Sequence, residues 1–272
     1  MRIAFCISGQ IRTWKQCYET WELLFNEIKL HPKFLNQNIE VDYFIHTWNF
    51  NTIPPHKWKN LGFPDINWAR KYFKIQDEEL NELIVKLNPA KYIIESVDVC
   101  DNRKNFIDKR ASNYGNINGA VVSWSAPQLY SIMKCAHIKR EYEIENNFEY
   151  DLCIKLRFDG KLNEQDRNII INDLELPLKK KTIYSMHSAN IHTFPHDLVG
   201  DILFYSDSET YDVLTAFYNW LPTLQESVFE KGVKIEEVFG YYMRMFDIKN
   251  IRSYMNVEII REEKNYEDSN LF

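Results

Sequence analysis

The sequence predicts an α/β fold with a mixed, mostly parallel central sheet flanked by helices, and three observations carry that prediction. First, "RIAFCIS" (2–8) is an apolar strand that stops at Gly9, and "VDYFIH" (41–46) reads as a second strand. Between them, "TWKQCYETWELLFNEIKL" (13–30) sets Trp14, Cys17, Tyr18, Trp21, Leu24, Phe25 and Ile28 on one helical face. Strand, helix and strand in that order make a βαβ unit. Second, "YDLCIKLRFDG" (150–160) alternates Leu152, Ile154 and Leu156 with Cys153 and Lys155, then ends on Arg157, Asp159 and Gly160. The carboxyl ends of such strands are where open α/β sheets bind ligands. Third, no repeat, low-complexity linker or composition break divides the chain, so residues 1–272 are expected to form a single domain.

The remaining elements follow in order. His31-Pro32 closes the first helix. Residues 50–76, rich in Pro, Trp and Asn, read as irregular with a short helix around Asn67 to Phe73. Asp77 is expected to cap a helix carrying Leu80, Leu83, Ile84 and Leu87, which Pro89 ends. "KYIIESV" (91–97) is a third strand, and the polar stretch 98–119 a long loop suited to a lid. "SAPQ" (125–128) fits a capping box with Pro127 in the first turn of a helix reaching about Asn146. After residue 160, "KTIYSM" and "DILFYS" read as strands, and Ser206 with Glu209 as a capping box for a helix to about Asn219. Residues 235–246 place Val238, Phe239, Tyr242, Met243 and Phe246 on one apolar face, and "IRSYM" (251–255) is a last short strand. The first half alternates strand and helix; the second mixes them less regularly.

Bulk properties remove several function classes. A net charge of −6 gives no global attraction to nucleic acid or to an anionic membrane. The five cysteines make no CxxC pair and read as small buried hydrophobes in a reducing compartment. No signal peptide or apolar run of membrane-spanning length is present, so a cytoplasmic protein without a transmembrane segment is expected. Aromatics make up 15% of the chain, and most are expected in the core.

Chemistry is expected at the strand ends. In "SGQIR" (8–12), Ser8, Gly9 and Gln10 form a tight turn whose backbone N–H groups can meet a phosphate, and Arg12 adds a forked cation. The stretch is neither a Walker loop nor a GxGxxG fingerprint, which argues against P-loop kinases, P-loop sulfotransferases and Rossmann dehydrogenases. At the end of "HTW" (46–48), His46 reads as a satisfied structural histidine, whereas Trp48 could stack on a base or sugar. Arg157 and Asp159, two apart on an extended strand, are expected to point into one cleft, the carboxylate toward a divalent ion and the arginine toward phosphate. The bland alternative is a surface salt bridge at a strand end. His187, His192 and His196 match no standard zinc spacing, and one of them, His187, could join Asp159 on a metal. Asp201 and Glu237 are the candidate general bases for an acceptor hydroxyl, although acids also stabilise a helix N-terminus without any catalytic role.

"ISGQIRTW", "DYFIHTW", "YDLCIKLRFD" and the late "EEVFGYYM" together resemble a group of glycosyltransferase-like proteins of bacteria and large viruses, similar to the GT-A fold. The resemblance covers most of the chain in order. It implies a nucleotide-diphosphosugar donor near "SGQIR" and Trp48, and an acceptor glycan or glycoconjugate on the side of Asp201 and Glu237. The first half (1–160) would bind the donor and the second (161–272) the acceptor. In GT-A enzymes an Asp-x-Asp motif holds manganese or magnesium on the diphosphate. Asp159 matches its last aspartate, and Arg157 stands in place of the first. Either Asp159 still holds the ion with help from elsewhere, or arginines do the ion's electrostatic work. A sugar nucleotidyltransferase is the rival enzyme class, although "SGQIR" has fewer glycines and cations than its loop needs. A catalytically silent sugar- or nucleotide-binding scaffold is the rival outside enzymes.

Overall fold

The computed structural model describes residues 1–52, 72–96, 98–99, 119–186, 199, 202–223 and 235–260. Strand β1 (Arg2–Gly9) is followed by helix α1 (Trp14–Leu30) and strand β2 (Glu40–Trp48). A short ribbon, β3 (Phe50–Thr52) paired antiparallel with β4 (Tyr72–Lys74), leads to helix α2 (Asp77–Leu87) and strand β5 (Lys91–Glu95). The long helix α3 (Gly119–Asn146) precedes β6 (Leu152–Leu156), β7 (Gly160–Lys161) and helix α4 (Glu164–Asp173). Then come β8 (Thr182–Met186), β9 (Leu203–Ser206), α5 (Ser208–Thr215) with a 3-10 continuation over Ala216–Thr223, and α6 (Ile235–Met245). Strands β10 (Lys249–Ser253) and β11 (Glu258–Ile259) complete the described elements.

Seven strands form one sheet in the order β10-β8-β9-β6-β1-β2-β5. Strands β5, β2, β1 and β6 run parallel, as do β8 and β10, while β9 runs antiparallel to both of its neighbours. The sheet is therefore mixed and mostly parallel, as its alternating first half requires. Strand alternation divides the core between its two faces. Ile3, Phe5 and Ile7 of β1 pack with Trp14, Cys17, Trp21 and Leu24 of α1, and with Leu80 and Leu83 of α2. Ala4 and Cys6 point the other way, toward Tyr130, Cys135 and Ile138 of α3 and Tyr211 of α5. Cys6, Cys17, Cys135 and Cys153 are all buried and unpaired thiols, in the strands and helices expected of them.

Local details correct several sequence expectations. Tyr72 and Phe73 are strand residues, not the end of a helix begun at Asn67. Gln76, not Asp77, is the N-cap of α2, and Asp77 joins Glu78 and Glu79 in the first turn, where acids oppose the helix dipole. Ser125 is not at a helix start, because α3 begins at Gly119, and Pro127 lies inside that helix. Asp207, not Ser206, caps α5: its carboxylate accepts from the Thr210 N–H and hydroxyl. That helix gives way to 3-10 geometry at Ala216 instead of running to Asn219. Helix α4 is an element the hydrophobic pattern does not announce. Its capping box, Asn163 with Asp166, is in the sequence at the right spacing. The greater part of the expected 98–119 loop lies outside the described residues.

Candidate functional site

The site is built where β1 and β6 end side by side. These parallel neighbours pair from Ile3 with Leu152 to Ile7 with Leu156. The chain leaves β1 toward β2 on one side, whereas it enters β6 from α3 and continues toward β9 and β8 on the other. The gap between them is the topological switch point of the sheet, where successive loops part and leave a crevice.

Gly9 ends β1 with φ +118°, a conformation that side-chain-bearing residues rarely adopt. Its carbonyl accepts from the Thr47 hydroxyl at 2.8 Å, which locks the β1 terminus to the adjacent end of β2. Ser8 is buried beside His46 in the parallel register. After the turn, the Gln10 side-chain oxygen accepts from Arg12 Nε at 2.8 Å and so aims that guanidinium.

Across the gap, the chain turns directly after β6. The Gly160 N–H donates to the Arg157 carbonyl at 3.0 Å, so Arg157 to Gly160 form a turn and not the extended strand that the sequence suggested. Arg157 and Asp159 still come together, by direct pairing. Arg157 Nε donates to Asp159 Oδ1 at 2.8 Å and Nη2 to Oδ2 at 2.7 Å, a two-pronged pair of planar groups. Arg12 Nη1 lies 4.0 Å from the same Oδ2. The Asp159 side chain is only 3% exposed, against 24% for each arginine. A salt bridge was the bland reading of this strand end; here it is mostly buried and has gained a second cation.

The turn is held from two sides. Trp21 Nε1 of α1 donates to the Gly160 carbonyl at 2.8 Å. Ile260 N–H donates to the Asp159 carbonyl at 2.9 Å, just after β11 pairs antiparallel with β7. The Ile260 carbonyl in turn accepts from the Thr13 hydroxyl at 2.8 Å, so β11 ties the two arginine-bearing loops together. Sequence reasoning missed these supports, because each joins residues far apart in the chain. Two guanidinium groups gathered at one carboxylate bring forked donors together, a group suited to phosphate oxygens.

A divalent ion needs several hard oxygen ligands at short distance. Both Asp159 oxygens already accept from Arg157. Among the described residues no group of three His, Cys, Asp or Glu side chains converges on a common point. The described residues at Asp159 do not make a metal site. His187 and Asp201 lie outside the described residues, and Glu237 lies in the first turn of α6 with its side chain undescribed.

His46 and Trp48 belong to an adjoining buried cluster at the ends of β2 and β5. Ser131 of α3 donates to His46 Nδ1 at 2.6 Å, and His46 Nε2–H donates to Glu95 at 3.0 Å; this tautomer satisfies both ring nitrogens. Tyr130 donates to the other Glu95 oxygen at 3.0 Å. Burial pushes the His46 pKa below its ordinary value. Burial works against the Glu95 carboxylate, but the hydrogen bonds from His46 and Tyr130 outweigh it and hold Glu95 below its ordinary value. His46 is thus the satisfied structural histidine the sequence suggested. Trp48 is 2% exposed, stacked on Tyr130 with its ring edge-on to His46, and takes its place in the core. Lys155, in the middle of β6, is a buried lysine whose Nζ donates to the Ile202 carbonyl at 3.4 Å.

No family model matches the chain, and no curated protein matches it. Among solved structures it aligns with mouse xyloside xylosyltransferase 1 at 10% identity and a TM-score of 0.40, over 93% of this chain and 84% of that one. It also aligns with a glycosyltransferase involved in glycosylation of the major capsid of PBCV-1, at 10% identity and a TM-score of 0.36, over 93% and 82% of the two chains. A third alignment is with a protein described as a glucose-1-phosphate thymidylyltransferase from Bacillus anthracis, at 8% identity and a TM-score of 0.35, over 95% and 88%. These likenesses are loose, and the functional reading rests on the geometry of the β1 and β6 ends.

Proposed function

We propose that this chain is a glycosyltransferase of GT-A-like architecture that moves a sugar from a nucleotide-diphosphate donor to an acceptor hydroxyl on a glycan or glycoconjugate. The observation that carries this reading is the convergence of Arg12 and Arg157 around Asp159 at the switch point. The carboxyl ends of central parallel strands are where such sheets bind ligands, and forked guanidinium groups match the oxygens of a diphosphate.

In the proposed reaction the bond between the sugar anomeric carbon and the diphosphate oxygen breaks, and its electron pair stays on that oxygen. Arg12 and Arg157 stabilise the charge that develops there. The acceptor hydroxyl forms the new bond to the same carbon and loses its proton to a base, for which Asp201 and Glu237 are proposed. Residues 1–160 then serve the donor and 161–272 the acceptor.

Thermal unfolding against UDP-, GDP-, CDP- and TDP-sugars tests the reading. A donor present at about 100 times its Kd adds about 2.7 kcal/mol of stability. For a chain of this size, each kcal/mol moves Tm by about 2–4 °C. The expected result is a rise of about 5–10 °C with one nucleotide class. No rise with any of them would remove the sugar-nucleotide reading. Pyrophosphate release from a nucleoside triphosphate and a sugar phosphate would mark a nucleotidyltransferase instead.

A further inference from the structure

We infer that the charge of the leaving diphosphate is met by the Arg12–Arg157 pair itself, with Asp159 as the positioning carboxylate that grips Arg157 and lies beside Arg12, so that donor binding needs no divalent ion. The inference rests on the sugar-nucleotide reading above and deepens it by assigning the chemistry that neutralises the diphosphate.

Three observations support it. The Asp159 carboxylate is 3% exposed and both its oxygens accept from Arg157, at 2.8 and 2.7 Å, so an ion at this carboxylate would have to displace a buried two-pronged pair. The described residues supply no group of three metal-ligating side chains to stabilise the displaced state. Each arginine is instead oriented in advance: Arg157 by Asp159, and Arg12 by the Gln10 side chain at 2.8 Å. With their forks fixed before the ligand arrives, the two groups lose little freedom on binding, which is where a pre-organised cation gains over a flexible one. Asp159 therefore acts through the arginines. Its burial beneath them suits a tether better than an ion ligand open to the crevice.

Calorimetric titration of the full chain with pyrophosphate, and separately with UDP, GDP, CDP and TDP, tests this in EDTA and again in excess manganese or magnesium. The expected result is affinity for one nucleoside diphosphate that agrees within about threefold between the two buffers. Arg12→Ala and Arg157→Ala are each expected to weaken it by about tenfold or more. Asp159→Asn is expected to change affinity by the same factor in both buffers, because it loosens the arginines without removing an ion site. Binding that disappears in EDTA and returns with manganese overturns the inference and leaves the sugar-nucleotide reading standing. So does an Asp159→Asn variant that loses a manganese-dependent component. Pyrophosphate binding in EDTA without binding of any nucleoside diphosphate keeps the arginine clamp and removes the sugar-nucleotide reading. Failure of both probes overturns both. Should Asp159→Asn not fold, the wild-type comparison between buffers decides alone.

Discussion

Asp159 and Gly160 meet opposite demands within two residues. Asp159 must be buried to grip Arg157, and the chain must then turn tightly enough for the Gly160 N–H to reach the Arg157 carbonyl. At Gly160 there is no room for a side chain, since an added Cβ would lie 2.9 Å from Leu156 Cδ1 and 3.2 Å from the Arg157 carbonyl oxygen. Gly160→Ala is therefore expected to cost about 1–3 kcal/mol in urea unfolding, with the overpacked turn also weakening the proposed nucleotide binding. An alanine variant as stable as wild type would mean that the turn yields more easily than its contacts indicate. Nearby, His46 supplies a pH dependence. An unfolded histidine takes up its proton as pH falls through about 6.5. Folded His46 resists to lower pH because burial disfavours its cation. The unfolded chain then binds the extra proton first, and this part of the stability is lost as pH falls below about 6.5. Glu95, also lowered, adds a loss of the same sign at lower pH, as its carboxylate protonates through its folded value. Urea unfolding at about pH 7 and about pH 5.5 should show a smaller drop in His46→Gln than in wild type. Equal drops would show that His46 takes its proton as readily folded as unfolded.

At the scale of elements, the βαβ beginning was legible because its signals are local. Of the α1 residues that the 3.6 period placed on one face, Trp14, Cys17, Trp21, Leu24, Phe25 and Ile28 are buried and Tyr18 is half-buried. Caps were harder to read. Ser206 and Glu209 have capping-box spacing, yet Asp207 one residue on offers a charged acceptor, and the helix starts there. Asp207→Ala is expected to lose about 1 kcal/mol in urea unfolding, while Ser206→Ala, which gives up a bond to the Asp207 carbonyl, loses less. The reverse order would restore Ser206 as the cap. Helix α4 escaped notice because Ile169, Ile170 and Ile171 run consecutively, with no 3.6 period to reveal a face. At the site, the sequence located Arg12, Arg157 and Asp159 correctly at strand ends. The Arg157–Asp159 salt bridge was its alternative reading, but on an extended strand both side chains point into one cleft, and it is the turn that closes them on each other and buries the carboxylate. The sequence could not show Trp21, Thr13 and Ile260 as supports, since those contacts exist only after the sheet has assembled.

At the scale of the whole molecule, the sheet order puts the two arginine-bearing loops side by side. The crossover from β5 through α3 carries the chain past β2 and β1 to form β6 on the far side, and that return opens the switch point. Helices on both faces leave the strand ends as the natural place for a ligand. No helix among the described residues is long and apolar enough to cross a membrane. The most direct test of the central claim is release of nucleoside diphosphate from the sugar nucleotide that stabilises the protein best, followed chromatographically with and without candidate glycan acceptors. The expected result is release by wild type that an acceptor accelerates, reduced by about tenfold or more in a folded Arg157→Ala variant. Release that is equal in Arg157→Ala, or donor binding with no release under any acceptor, would contradict a transferase centred on the Arg12–Asp159–Arg157 cluster.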